Sequence, residues 1–197
     1  RILGKKCWGK IAAARNTKAL EKAQRILSMP EFSILTLSSP EYPALLKTIY
    51  DPPPVLYCKG RPFPSGMPAV AVVGSRRCSG YGRTVARRFS CELAQAGVAV
   101  ISGMARGIDT MAHKGALDAE SGYTAAVFGC GVDVVYPPES KSLYQMIAER
   151  GSLFSEYPPG IGPSAGNFPA RNRIISGLAN GTLVIEAGIV WTLSFFP

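Results

Sequence analysis

Several features that define large classes of protein are missing from this sequence. No apolar run approaches the length of about 18 residues that a membrane-spanning helix needs. The basic N-terminus holds no apolar segment long enough for a signal peptide. The five cysteines are scattered and include no C-x-x-C pair. Their distribution argues against a disulfide framework or a zinc site and indicates a reduced, cytosolic protein.

Acidic residues are also scarce. The chain has 13 of them against 22 lysines and arginines, which gives a formal net charge of +9. Such an excess favours a polyanionic partner, either nucleic acid or an acidic membrane surface, although a basic protein that is merely soluble has the same composition. With 197 residues, 47% of them hydrophobic, the chain is long enough for one large domain and a smaller one.

The first third of the chain differs in pattern from the rest. Residues 1 to about 50 are predicted to form helical pieces with a basic surface, most clearly over Ala19–Leu27. Proline-rich connectors follow, and a short strand is predicted between them at Val55–Cys58. We therefore predict a domain boundary near Gly66, with a small helical N-terminal region and linker over residues 1–66.

From Ala69 onward, short apolar runs alternate with helical patterns. Uninterrupted, β-branched runs of this kind are typical of a parallel sheet covered on both faces. After the first run, Val85, Phe89 and Leu93 recur every four residues and predict the apolar face of a helix. The predicted strands are Ala69–Val73, Val98–Ile101, Thr124–Phe128, Leu153–Ser155 and Thr182–Ile185. The further predicted helices are Asp109–Ala119, Ser140–Glu149 and Ala170–Ala179. The fold class is therefore α/β, a Rossmann-like doubly wound and mainly parallel sheet.

Glycines follow the predicted strands at the edge where such sheets bind ligands. They are Gly74, Gly103, Gly107, Gly129 and Gly131. Glycines there let backbone amides approach an anion near helix N-termini, which predicts a phosphate-binding face. Each one taken alone is equally compatible with a tight turn that binds nothing.

Arginines crowd the stretch that follows the first strand. Five of them occur within 13 residues that contain no carboxylate, namely Arg76, Arg77, Arg83, Arg87 and Arg88. Unpaired arginines that start at a phosphate-facing loop fit a nucleic-acid backbone, whereas a solvated helix surface is the ordinary alternative. The spacing of the glycines does not match the G-x-G-x-x-G pattern of a dinucleotide site.

A long loop precedes the last predicted helix and delivers an aromatic residue beside two cations. These are Phe168, Arg171 and Arg173. An aromatic ring with neighbouring arginines is the arrangement that stacks a base while neutralising its phosphates. The alternative places Phe168 in the core and both arginines in solvent.

The single histidine, His113, lies four residues after Asp109 on one predicted helix. No second histidine and no nearby cysteine or glutamate completes a catalytic or metal site. We therefore interpret Asp109 as a helix-start residue and His113 as a structural or DNA-stacking side chain. We predict no catalytic residue, no metal and no cofactor.

Six motifs occur in order along the chain, namely VVGSR, SGMARGID followed by AH, GCGVDVVYP, SEYPPG, FPARNRIISGL and GTLVIEAG. Together they resemble the Rossmann-fold core of the DNA-processing protein A family, also called DprA or Smf. The resemblance covers roughly residues 38–188 and is highly specific. Residues 1–37 resemble only loosely the small sterile-alpha-motif-like domain that many members carry.

The resemblance implies a bacterial cytoplasmic protein that is not an enzyme. Family members bind incoming single-stranded DNA during natural transformation, protect it and help to load the RecA recombinase onto it. The resemblance assigns the basic DNA pocket to Arg76 and places Arg106, Phe168, Arg171 and Arg173 near it. The full set of predicted DNA-binding residues is Gly74, Ser75, Arg76, Arg77, Gly103, Arg106, Gly107, Phe168, Arg171 and Arg173.

Both ends of the chain depart from the family pattern. The chain lacks an initiator methionine, and the tail IVWTLSFFP after Gly188 resembles no family segment. We therefore expect a fragment whose tail, over residues 189–197, comes from a frameshift or a truncated product. The family pairs through this domain, so the departure puts the homodimer and RecA loading in doubt. The apolar tail is also predicted to favour aggregation.

Two other functions remain open from the sequence. Gly181, Thr182 and Glu186 resemble part of the pattern of the LOG-type phosphoribohydrolases, which act on nucleoside monophosphates, but the full P-G-G-x-G-T signature is missing. The other candidate is a basic scaffold that binds only proteins, which absence of DNA binding at low salt would favour.

Overall fold

The structure is a computed structural model of the whole chain. It describes residues 28–187 together with residues 21, 24 and 25. The predicted helix Ala19–Leu27 and the predicted aberrant tail 189–197 lie outside the described residues, apart from the three positions just named. The sterile-alpha-motif-like region therefore stays a prediction.

Residues 28–187 form seven strands and four α-helices. The strands are β1 (Phe32–Thr36), β2 (Val55–Gly60), β3 (Ala69–Gly74), β4 (Ala99–Ser102), β5 (Thr124–Phe128), β6 (Ser152–Ser155) and β7 (Gly181–Ile185). The helices are α1 (Gly80–Gln95), α2 (Ile108–Asp118), α3 (Lys141–Arg150) and α4 (Asn167–Gly177). Short 3-10 turns at Leu45–Thr48 and Pro138–Ser140 complete the set.

All seven strands belong to one sheet in the order β1-β2-β6-β5-β4-β3-β7. Strands β3 to β7 pair in parallel with their neighbours among themselves, while β2 pairs antiparallel with β6 and with β1. From β3 the chain adds β4, β5 and β6 on one side and then β7 on the other side. The strand order therefore reverses beside β3. This confirms the α/β, Rossmann-like, mainly parallel fold predicted from the sequence.

The central strands are buried because helices cover both faces of the sheet. Every residue of β4, β5 and β6 is buried. One hydrophobic cluster packs α4 against one face, and two others pack α1, α2 and α3 against the opposite face. Burial on both faces explains why these strands have continuous apolar runs rather than an alternating pattern.

The apolar stripe predicted on α1 is confirmed only in part, because Val85 and Leu93 pack against the core while the most deeply buried positions lie elsewhere on the helix. Phe89 is 40% exposed, and Val85 and Leu93 are only partly buried. The buried positions are instead the small residues Gly82, Ala86, Ser90 and Ala94. Small side chains let α1 approach α2 closely. The buried face of α1 is therefore set by how closely the two helices pack and not by where its most hydrophobic residues lie.

The prediction of helical pieces up to about residue 50 also needs correction. Strand β1 lies within that region and pairs in register with β2. Alternation is weak in Phe32–Thr36, where only Phe32 and Leu35 are partly buried, because β1 is an edge strand. The sheet therefore extends across the boundary that the sequence places near Gly66.

Candidate nucleic-acid interface

The loops that follow β3, β4 and β5 converge at the carboxyl edge of the sheet. There they line a pocket together with the start of α4. The lining residues are Arg76, Gly103, Met104, Ala105, Arg106, Phe128, Gly129, Cys130, Tyr136, Pro137 and Phe168. Ligands of open α/β sheets bind at this edge, next to the point where the strand order reverses. We take this pocket as the candidate site.

The β3 and β4 loops are in backbone contact at the base of the pocket. Gly107 precedes α2 with a φ of +78°, and a Cβ atom there would lie 2.2 Å from the carbonyl oxygen of Ser75. That carbonyl accepts a hydrogen bond from the amide of Ile108 at 3.2 Å. A Cβ at Gly74 would lie 1.9 Å from the carbonyl oxygen of Ile185. These two glycines are therefore required for close packing of backbones.

Arg76 and Phe168 are brought together although 92 positions separate them in the sequence. The guanidinium carbon of Arg76 lies over the ring of Phe168, 5.3 Å from its centroid. Arg76 is exposed and Phe168 is partly buried. A cation over an aromatic face is an attractive contact, and it holds the two groups together at the mouth of the pocket.

Local contacts of α4 fix the position of Phe168. The helix begins at Asn167, whose side-chain amide donates to the carbonyl oxygen of Gly129 at 3.0 Å. A Cβ at Gly129 would lie 2.9 Å from Cδ1 of Phe168, so only glycine admits the ring at this distance. Gly129, which was predicted to help bind a phosphate, instead makes room for the ring of Phe168.

Arg106 lines the same pocket and is paired. Its Nε donates to Oε1 of Glu139 at 2.5 Å, and the side chains are 62% and 55% exposed. The bond holds the pKa of Glu139 below its usual range. An exposed pair of this kind contributes little net stability, so an incoming phosphate can compete with Glu139 for the guanidinium.

Some of the five arginines between Arg76 and Arg88 that were predicted to be unpaired are held in ion pairs. Arg87 makes a two-point contact with Asp118, at 2.6 and 2.9 Å, and Arg88 donates to Glu92 at 2.8 Å. The prediction that all five arginines are unpaired is therefore wrong. Within the part of the chain that the structure describes, the side chains of Arg77 and Arg83 are exposed and take no part in an ion pair.

Arg171 is buried, with 3% of its surface exposed. Its guanidinium donates to the carbonyl oxygens of Gly103, at 2.8 Å, and Val127, and it packs where a Cβ at Gly103 would stand. Burial lowers the pKa of Arg171 to about 10, and Asp109 opposes this shift. This placement does not fit the predicted contact with DNA phosphates, and Arg171 instead fastens α4 to the ends of β4 and β5.

Arg173 is directed away from the pocket. It makes a two-point contact with Glu156, at 2.9 and 2.7 Å, and also donates to Asp51. The carboxylate of Glu156 raises the pKa of Arg173. Each residue of an α-helix is rotated by about 100° from the one before it. Over the five positions from Phe168 to Arg173 the direction changes, so Arg173 projects from a different side of α4. The predicted DNA contact of Arg173 does not fit this position.

Asp109 and His113 lie on α2 and are buried. Oδ2 of Asp109 accepts from the amides of Gly103, at 3.1 Å, and Ala105, at 3.3 Å, so the side chain braces the β4 loop. Burial raises its pKa. Nδ1 of His113 lies 2.7 Å from Oγ1 of Thr124, and burial lowers the pKa of the imidazole to about 3. Of the two roles left open for His113, the structural one fits this position.

Glu186 caps α1 from the end of β7. Its Oε1 and Oε2 accept from the amide of Ser79, at 2.7 Å, and from its hydroxyl, at 2.8 Å. The carboxylate is stabilised there by the positive end of the helix dipole. A Cβ at Gly82 would lie 2.0 Å from Oε2 of Glu186, which explains the second glycine after the arginine pair.

One residue of the site was missed by the sequence analysis. Tyr136 stands in a recognised motif but was given no role, and its ring centroid lies 5.5 Å from that of Phe168. The signal available in the sequence was an aromatic residue shortly after a strand-end glycine pair. Among the described residues, no group of three or more potential metal ligands occurs, and no helix is long and apolar enough to cross a membrane.

The doubly wound α/β domain is of the Rossmann-like class, and it brings arginines, close backbone turns and aromatic rings together at its carboxyl edge. The chain belongs to the DNA recombination-mediator protein A family, whose model matches residues 33–190. This confirms the family that the six motifs indicated.

Individual relatives agree with this assignment. The chain is 43% identical to protein Smf of Synechocystis sp. over 192 residues, which is 93% of this chain and 47% of that protein. It is 45% identical to DNA processing protein DprA of Streptococcus pneumoniae over 158 residues, which is 80% of this chain and 54% of that protein. The chain thus spans about half the length of the curated relatives it matches.

Two solved structures of the family share the fold. The crystal structure of DprA from Streptococcus pneumoniae matches with a TM-score of 0.77 at 40% identity and covers 86% of this chain and 59% of that one. DNA processing protein A from Helicobacter pylori, studied for its single-stranded DNA binding mode, matches with a TM-score of 0.73 at 29% identity. The latter match covers 84% of this chain and 74% of that one.

Proposed function

We propose that this domain binds single-stranded DNA without sequence preference, with Arg76 holding a phosphate and Phe168 stacking a base. The observation that carries the proposal is the contact of Arg76 with Phe168, which joins a cation and an aromatic face at the carboxyl edge of the sheet. Stacking is tolerant of sequence because every base has a π-face. The related protein from Helicobacter pylori, which binds single-stranded DNA, supports the choice of ligand.

Family membership supports a wider role in DNA uptake. We propose that the full protein, in the bacterial cytoplasm, protects incoming single strands during natural transformation and helps to load RecA, without enzymatic turnover. For the LOG-type alternative, a free glutamate is needed beside the nucleotide. Glu186 instead caps α1 through both carboxylate oxygens, and this contact favours the binding function over hydrolysis.

The proposal is tested by titrating a labelled oligothymidylate and measuring fluorescence anisotropy. Loss of a hydrogen bond to a charged group costs about 1.5–3 kcal/mol, so Arg76→Ala should weaken binding roughly ten- to a hundredfold. Arg76→Lys should recover part of the affinity, because an ammonium keeps the charge but not the fork of donors. Arg77→Ala should weaken binding less, since Arg77 does not line the pocket.

Arg88→Ala is the matched control, because it also removes one exposed arginine but on the side of α1 that pairs with Glu92. Equal losses for Arg88→Ala and Arg76→Ala would show that only net charge matters. If Arg77→Ala is impaired while Arg76→Ala binds like the parent, the phosphate site lies on the other side of the loop. Phe168→Ala should weaken binding by about 1–3 kcal/mol with thermal stability kept.

A further inference from the structure

Two opposite charges are buried at the carboxyl edge of the sheet, and they come from helices on its two faces. Asp109 is the second residue of α2, and Arg171 lies on α4, which covers the other face. Each residue has only 3% of its surface exposed. A buried charge is very costly unless an opposite charge compensates it, so each of these groups needs a partner inside the protein.

Gly103, the residue directly after β4, joins the two side chains. Its amide donates to Oδ2 of Asp109 at 3.1 Å, and its carbonyl oxygen accepts from the guanidinium of Arg171 at 2.8 Å. A Cβ atom at Gly103 would lie 2.6 Å from Nη2 of Arg171, so the guanidinium packs directly on the glycine. Asp109 and Arg171 therefore hold the same residue, one through its amide and the other through its carbonyl group.

The hydrogen bonds of Arg171 satisfy its donors without neutralising its charge. They go to neutral groups, namely the carbonyl oxygens of Gly103 and Val127 and the side-chain oxygen of Asn172. Within the part of the chain that the structure describes, no carboxylate lies within 4 Å of the guanidinium. Burial lowers the pKa of Arg171 and raises that of Asp109, and in each case the other residue is the largest influence in the opposite direction. The two charges therefore compensate each other across Gly103.

Each of the two charges is also attached to an element that carries a residue of the DNA site. Asp109 accepts from the amide of Ala105 at 3.3 Å, and the next residue on that loop is Arg106. Arg171 lies three residues after Phe168 on α4. A change in either charge can therefore reach Arg106 through the β4 loop and Phe168 through α4.

We propose that Asp109 and Arg171 form one buried charge pair across Gly103. Through this pair, Asp109 positions both Arg106 and Phe168 for single-stranded DNA, although it does not itself touch the strand. The inference rests on the proposed function and adds a positioning residue to it. The competing role for Asp109 is a local brace of the β4 loop, for which any hydrogen-bond acceptor would serve.

Urea unfolding tests the pair itself. Asp109→Asn removes one charge but keeps an acceptor for the two amides, and Arg171→Gln removes the other charge. Each single variant leaves an uncompensated buried charge, so the double variant should lose clearly less stability than the sum of the two single losses. Where a single variant does not fold, the double variant should recover the folded state. Additive losses, or a double variant that stays unfolded when a single one does, would overturn the inference.

DNA binding by Asp109→Asn tests the positioning role. Affinity per folded molecule is measured by fluorescence anisotropy for an oligothymidylate and for an abasic strand of the same length. In the parent, stacking on Phe168 should favour the oligothymidylate about 5- to 100-fold. In Asp109→Asn this preference should fall toward one. The slope of log K against log salt should also become shallower by about 0.7, because Arg106 loses its phosphate.

Two reference variants calibrate these two readouts. Phe168→Ala should remove the preference for bases and keep the salt slope. Asp118→Asn is the matched control, because it also removes a carboxylate from α2, but one that pairs with Arg87 and does not line the pocket. It should keep both the preference and the slope. If Asp109→Asn changes only one of the two readouts, or neither, the inference is overturned while single-strand binding stands. A parent that binds no oligonucleotide, or that shows no preference for bases, would refute the proposed function itself.

Discussion

The arginines of this protein differ in how deeply they are buried, and burial decides which of them can meet a ligand. Arg76 stands at the open end of the β3 loop, where its charge can meet a ligand, whereas Arg171 uses its donors on the carbonyl oxygens at the ends of two strands. A buried guanidinium needs such partners because an unpaired charge in the interior is very costly. At the residue scale, Arg171 is thus a structural support for the helix that presents Phe168.

His113 should make the stability of the protein depend on pH. Burial lowers its pKa from 6.5 to about 3, so the unfolded chain binds a proton in this range that the folded one does not. Stability from this group is therefore complete above pH 6.5 and falls as the pH drops toward 3. Between pH 6 and pH 5 we expect a loss of about 1 kcal/mol in the free energy of unfolding.

Denaturant unfolding at pH 7, 6 and 5 measures this effect. His113→Gln serves as the comparison, because an amide can still meet the hydroxyl of Thr124 and does not titrate in this range. The variant should be less stable at pH 7 and show a smaller loss between pH 6 and pH 5. Parallel pH profiles for the two proteins would contradict the assignment to His113.

At the scale of elements, the pairing of α1 with α2 depends on small residues. A Cβ at Gly115 of α2 would lie 2.0 Å from the carbonyl oxygen of Arg87 in α1. Alanine ordinarily favours a helix over glycine by about 1 kcal/mol. Here we expect Gly115→Ala to destabilise the protein by about 1–3 kcal/mol, because the two helices must move apart.

Gly80→Ala is the matched control for Gly115→Ala. Gly80 is the first residue of α1, and no atom lies within 4 Å of a Cβ built there. Its replacement should be neutral or slightly stabilising. Both variants are compared by urea unfolding. A stable Gly115→Ala protein would mean that the two helices do not pack as closely as the structure shows.

At the scale of the whole molecule, the net charge of +9 overstates the number of phosphates that the site can hold. Arg171 is buried, Arg173 is engaged by Glu156, and Arg87 is engaged by Asp118. The exposed arginines of the loops after β3 and β4 are then Arg76, Arg77 and Arg106.

Each phosphate neutralised on a single strand contributes about −0.7 to the slope of log K against log salt, so three contacts predict a slope of about −2. Anisotropy titrations at several salt concentrations measure it. Arg76→Ala should make the slope shallower by about 0.7. A slope much steeper than −2 would show that the basic surface outside the pocket also binds the strand, and a flat dependence would exclude phosphate contacts.

The sequence alone determined the parallel strands of the sheet and the family. The predicted strand Thr124–Phe128 matches β5 in full, and the other predicted strands of the parallel sheet differ from the observed ones by a residue or so at their ends. Such strands are buried on both faces, so their apolar runs are visible without knowledge of their neighbours. The glycines beside them also mark the carboxyl edge, because close backbone contacts admit no other residue.

Only the tertiary structure decided which side chains reach the site. Phe168 and Arg171 stand one helical turn apart in the same motif, yet one ring opens to the pocket and the other side chain enters the core. That difference depends on the carbonyl oxygens of Gly103, directly after β4, and of Val127 in β5, which are 68 and 44 positions away in the sequence. The buried face of α1 was likewise set by its distance from α2. The local sequence pattern shows how polar a residue is. Which partners the residue has is decided by contacts between segments that are far apart in the sequence.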